Sequence, residues 1–126
     1  MYSITVRDHI FIAHSLRGEV FGPAQNLHGA TYVIDVEFKK PELDEYNMVI
    51  DISMASQILS QAISGLNYRN LDEHEAFQSE ITTTEFLARY IHGKICKHIQ
   101  PFFHGIVKIT LHESHLAWGS YEASTG

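Results

Sequence analysis

The hydrophobic period of this chain changes twice, from two residues to about 3.6 and back, and that switch leaves few folds open. Ile4, Val6, Ile10, Ile12, His14 and Leu16 alternate with polar neighbours, with Asp8 as the one lapse, as in a half-buried strand. After the turn-rich stretch RGEVFGPAQN, a second strand over about His28–Phe38 carries His28, Ala30, Tyr32, Ile34, Val36 and Phe38 on one face. From Asp51, placed to cap a helix, Met54, Ala55, Ile58, Leu59, Ala62, Ile63 and Leu66 recur at three- and four-residue spacing. A second helix repeats the period through Leu87, Ile91, Ile95 and Ile99; Thr82 and Glu85 have capping-box spacing, and Pro101 stops it. Alternation then returns with Val107, Ile109, Leu111, Glu113 and His115, followed by a short strand near Leu116–Tyr121. The order ββααββ predicts an α+β fold, a four-stranded antiparallel sheet with two helices on one face. No repeat or linker divides residues 1–126, so one domain is expected.

A formal charge of −6 argues against nucleic acid or an anionic membrane as partner. One cysteine, Cys96, excludes an intrachain disulfide, and no apolar run is long enough to span a bilayer, so a cytoplasmic protein is expected. Such a small sheet leaves its outer edges unpaired, and closing them against neighbouring copies is a reasonable remedy.

His14, His28 and Glu113 break the apolar faces. A lone imidazole near a strand end reads first as a hydrogen-bonded core residue and second as a metal ligand. A carboxylate following Val107, Ile109 and Leu111 must find donors or suffer desolvation. An arginine, a helix N-terminus or the two adjacent N–H groups of a flat heterocycle would each serve.

FIAHSL, LHGATY, NMVID, LNYRNLD, TTTEFLARYI and LHES, in this order and spacing, resemble the 6-pyruvoyl-tetrahydropterin synthase and 6-carboxytetrahydropterin synthase family along nearly the whole chain. The resemblance implies the tunnelling fold, a ββααββ unit that assembles through barrels into a homohexamer, a dimer of trimers, with sites between subunits. It implies zinc held by three histidines, a cysteine, aspartate and histidine that move protons, and a glutamate that grips the pterin. His14 and His28 match two zinc ligands, but the third position is Ala30, which coordinates nothing. The family's cysteine falls on Ala24 and its Asp-His pair on Asn67 and Tyr68; an amide is no general base, and a phenol is a poor one at neutral pH. Cys96, within the second helix, reads as a buried small hydrophobe and not as a replacement nucleophile. The ring-binding half survives: Glu113 matches the pterin-gripping glutamate, and Thr83, Thr84 and Glu85 match residues that contact the ring from the adjoining subunit. Phe11, Tyr32 and Trp118 read as packing residues, with ring stacking the second reading. Arg17, Arg69 and Lys97 read as solvated charges.

The expectation is therefore a homologue that binds a pterin or purine-like heterocycle without running the parent reaction, and that catalyses either a different step on such a ligand or none. No cofactor is expected. The alternatives are a zinc-dependent lyase with replacement residues, His14 and His28 then being ligands, and a non-catalytic scaffold subunit.

Overall fold

The two alternating stretches at the start of the chain become one long hairpin in the computed structural model, which describes residues 1–126. Strand β1 (Tyr2–His14) pairs antiparallel with β2 (His28–Lys40) in unbroken register from Tyr2↔Lys40 to His14↔His28. The inward row is the predicted one: Val6, Ile10, Ile12 and His14 of β1, and Tyr32, Ile34, Val36 and Phe38 of β2, are buried. Helix α1 (Ile52–Ile63) starts at Asp51, whose carboxylate accepts from the Met54 N–H at 2.8 Å. It buries Ala55, Ile58, Leu59, Ala62 and Ile63. Helix α2 (Thr84–Ile99) presents Leu87, Ala88, Ile91, Ile95 and Ile99 to the same layer, so one apolar cluster joins both helices to the sheet. This is the expected period-3.6 stripe over a period-2 face.

The sheet departs from expectation in number. A two-residue strand β3 (Arg69–Asn70) runs parallel to β1 at Ile12 and Ala13, giving five strands in the order β3-β1-β2-β4-β5. No two-residue bridge has a hydrophobic period of its own, so sequence patterning passes over it. Strands β4 (Ile106–His112) and β5 (Trp118–Ser124) complete the antiparallel part.

Two further boundaries move. The strand expected to carry Glu113 and His115 on its buried face ends at His112. The chain turns there because the Glu113 and Ser114 N–H groups donate to Ala117 O (3.1 and 3.3 Å) and the Ser114 hydroxyl accepts from Leu116 N at 3.1 Å. Thr82 is not the cap of α2: Thr83 accepts from Phe86 N at 3.2 Å, which removes the Thr82–Glu85 capping box. No helix is long and apolar enough to cross a membrane.

Candidate functional site

The β1–β2 register sets the first half of the site. His14 and His28 are direct cross-strand partners with ring centroids 4.6 Å apart, and Ala30, two residues along the same face, lies opposite Ile12. Thr82, freed from capping, is buried with its hydroxyl 3.0 Å from His14 Nδ1; His28 Nδ1 donates to Asn26 O at 2.8 Å. That bond leaves the His28 lone pair on Nε2. The chain thus brings together two imidazoles and a methyl group, and no cluster of three or more His, Cys, Asp or Glu able to hold a metal forms anywhere in it. Two nitrogens fall short of the three protein ligands of a catalytic zinc site. His74 is engaged elsewhere: its Nδ1 accepts from Ala76 N and its ring stacks on Phe77.

Burial, first, and the neighbouring His28, second, push the His14 pKa below its usual 6.5, against opposing effects of Asp72, Thr82 and Glu113. The folded chain therefore resists a proton that the unfolded chain accepts near pH 6.5. The contribution of His14 to stability is intact above that pH and is lost as the pH falls through 6.5 toward the lower folded value. Urea midpoints measured with EDTA between pH 8 and 5 should fall more steeply for the wild type than for His14→Gln. Parallel curves would remove His14 as the source.

Ala24, Asn67 and Tyr68 bond to β1 and the turn after it on either side of His14. Ala24 O accepts from Leu16 N at 2.9 Å in the turn that follows β1. Asn67 Oδ1 accepts from Phe11 N at 3.0 Å, and Tyr68 N donates to Phe11 O at 2.7 Å, so this pair extends the pairing of the β1 edge that β3 continues. Tyr68 sits at φ 61 with its exposed ring 5.5 Å from Phe11. Burial raises the Cys96 thiol pKa, the opposite of an activated nucleophile. Arg17 is less solvated than expected, since it donates to the Gln78 and Glu80 carbonyls and ties the 71–82 connection beside His14.

The second half of the site is the start of α2 facing the β4–β5 turn. Thr84, Glu85, Glu113, Ala117, Trp118 and Gly119 line a cavity of about 270 Å³ within one chain. Gly119 makes the close approach, because a Cβ there would lie 3.1 Å from Thr84 Cγ2. Glu113 is exposed, a correction of the desolvated position its parity implied, and its carboxylate forms no ion pair or hydrogen bond in the chain. Thr83 is spent on the helix cap, whereas Glu85 stays exposed in the first turn. Tyr32 is core, 2 % exposed; burial first, and then the carboxylates of Glu113 and Glu85, raise its phenol pKa against the opposing effect of Thr84. Trp118, at 61 % exposure, is not core. Gly119 and Ala117 carry no chemical signal in a sequence; the approach of Gly119 to α2 and the cavity that both residues line reveal them.

A largely antiparallel sheet with two helices on one face, two histidines at the loop end of its first hairpin and a free carboxylate at the turn of its last defines a tunnelling-fold domain. Residues 3–124 match the family described as 6-pyruvoyl tetrahydropterin synthase, and the chain belongs to that family. It is similar to the Caenorhabditis elegans 6-pyruvoyl tetrahydropterin synthase structure, with 25% identity, 98% of this chain and 96% of that chain covered, and a TM-score of 0.85. The Plasmodium vivax structure of the same name is similar in fold, with a TM-score of 0.82 at 15% identity and 98% of each chain covered. A Bacillus subtilis 6-carboxy-5,6,7,8-tetrahydropterin synthase is 29% identical over 93 residues, 69% of this chain. That match spans only 60% of the Bacillus protein's length.

Proposed function

We propose that this chain binds a pterin or purine-like heterocycle through the Glu113 carboxylate and does not run the synthase reaction of its family. The observation that carries this reading is the state of Glu113, an acid with no partner in its own chain at the mouth of a cavity shared with Thr84, Glu85 and Trp118. A pterin or guanine edge presents an amino group beside a ring N–H, and one carboxylate accepts from both in plane. The exposed Trp118 indole supplies a flat apolar surface beside it. Ala24, Ala30, Asn67 and Tyr68 support the second part, because none offers a zinc ligand or a ready general base at neutral pH. Assembly as a homohexamer of two trimers belongs to the same proposal. It is supported by the unpaired outer edge of β5 and by β1, which β3 covers only at Ile12 and Ala13. A cytoplasmic location is part of it as well.

Calorimetry with 7,8-dihydroneopterin and guanine tests the anchor. Loss of two hydrogen bonds to a charged acceptor should cost Glu113→Ala roughly 2–3 kcal/mol, or about 30- to 150-fold in affinity. Equal affinity in both proteins would remove the anchor role. Turnover of dihydroneopterin triphosphate by the wild type would instead establish the lyase reading.

A further inference from the structure

Two carboxylates border the cavity at the start of α2, and no cation does. Glu85 and Glu113 line it beside Thr84 and Trp118; both acids are exposed and neither forms an ion pair. After burial, and against Thr84, the charges of both raise the pKa of the Tyr32 phenol, so the two acids act on one point of the core. The start of a helix favours anions, but here Thr83 accepts from Phe86 N at 3.2 Å and Glu85 places its own negative charge in the first turn.

The chain has nine lysines and arginines, and each is placed elsewhere. On the open face of the sheet, Arg7 borders a second cavity, of about 290 Å³, that Glu113 also lines. Its guanidinium clasps the carboxylate of its cross-strand partner Asp35 at 2.6 and 2.8 Å, and His112 Nε2 meets the same carboxylate at 2.9 Å. Arg7 first, and His112 after it, hold the Asp35 pKa below the usual carboxylate range against the effect of burial, so Arg7 faces an ionised partner. Farther along this face Lys39 bridges Glu37 and Glu122 at 3.1 and 2.6 Å, and Lys108 acts on Glu122. Arg17 donates to the Gln78 and Glu80 carbonyls, and Arg69 borders a cleft with Glu73 and Glu75. Lys40, Arg89 and Lys94 lie over the rings of Phe103, Phe86 and Tyr90 at 5.2, 5.7 and 5.5 Å. Lys97 stands in the last turn of α2, about 20 Å of helix away from Thr84.

We propose that the Glu113 site takes an unphosphorylated heterocycle, as free base, nucleoside or polyol-substituted pterin, and rejects the phosphorylated form of the same ring. This rests on the Glu113 reading above and adds the class of ligand to it. Proteins hold phosphate with arginine forks, lysines or free N–H groups at helix starts. A phosphate chain on a ring held by Glu113 would instead lie beside a second carboxylate, in the field of a chain of formal charge −6. Further copies of the chain would bring the same nine cations with the same partners. A hydroxylated substituent meets no such repulsion, and the Glu85 carboxylate and Thr84 hydroxyl are acceptors for its O–H groups. The face of the Trp118 indole is negative and likewise favours a neutral or cationic ring over an anion.

Calorimetry at pH 8, which keeps imidazoles uncharged, compares 7,8-dihydroneopterin with its triphosphate on the full chain. Trp118 is the one tryptophan and lines the cavity, so its fluorescence reports whether each compound binds there. At low ionic strength the triphosphate should bind at least about 10-fold more weakly, and added salt should narrow the gap, because screening weakens repulsion between exposed charges. Glu85→Gln should narrow it as well. Triphosphate binding as tight as that of the parent compound, or turnover of the triphosphate, overturns the inference; dihydroneopterin binding that Glu113→Ala abolishes would then leave the anchor role standing. A gap that neither salt nor Glu85→Gln narrows also overturns it, since size and not charge would be the cause. Binding of neither compound overturns both readings.

Discussion

Ala30→His is expected to convert this chain into one that holds a tight equivalent of zinc per molecule. The register already provides the rest of the site, with His14 and His28 cross-strand partners and position 30 next along the same face. His28 has its Nδ1 proton committed to Asn26 O, and Thr82 occupies His14 Nδ1, so both Nε2 atoms are without partners in the chain. Fixing the far nitrogen of a ligating imidazole is how such rings are oriented toward a metal. A third imidazole at position 30 would supply the third protein ligand that catalytic zinc sites use. Zinc titration of the chelator-stripped variant and wild type would read the difference directly. At a free zinc concentration 1,000 times its dissociation constant the variant should gain about 4 kcal/mol of stability from mass action, and the wild type far less. Tight zinc in the unaltered protein, or none in the variant, would overturn the reading of Ala30 as the lost ligand position.

Phe38→Ala should be the more damaging change to the fold. Phe38 is fully buried on β2 between Ile4 of β1 and Val107 of β4, and its ring meets Phe103 edge to face at 5.5 Å. Truncation removes the transfer free energy of the ring and leaves a cavity that sheet neighbours on both sides cannot collapse into. Such changes cost about 3–5 kcal/mol, a large share of the roughly 5–15 kcal/mol that holds a domain together. Urea unfolding should show a strongly lowered midpoint with an unchanged slope. A loss under about 1 kcal/mol would mean that the surrounding side chains close the gap.

Neither experiment touches the open face of the sheet, where the sequence was least informative. His112, Arg7 and Asp35 carry no signal in the sequence beyond polar residues on the outward parity of their strands. Their juxtaposition needs the diagonal offset of β4 against β2, which pairs Asp35 with Thr110 and leaves His112 one step beyond. Glu113 shows the opposite limit. Its identity was legible, but its parity suggested burial, whereas the Ser114 turn lifts it into solvent at the mouth of two cavities.

What the sequence determined by itself was the set of elements, the two helical stripes and the inward rows of the first hairpin. These follow from periods of two and 3.6 residues, which are properties of the local backbone that any window of the chain carries. Only the tertiary structure decided the fifth strand, the cap at Thr83, the Thr82–His14 contact and the Arg7–Asp35–His112 row. Each of these depends on cross-strand register and on where a turn closes, and those are set by contacts between segments far apart in the chain.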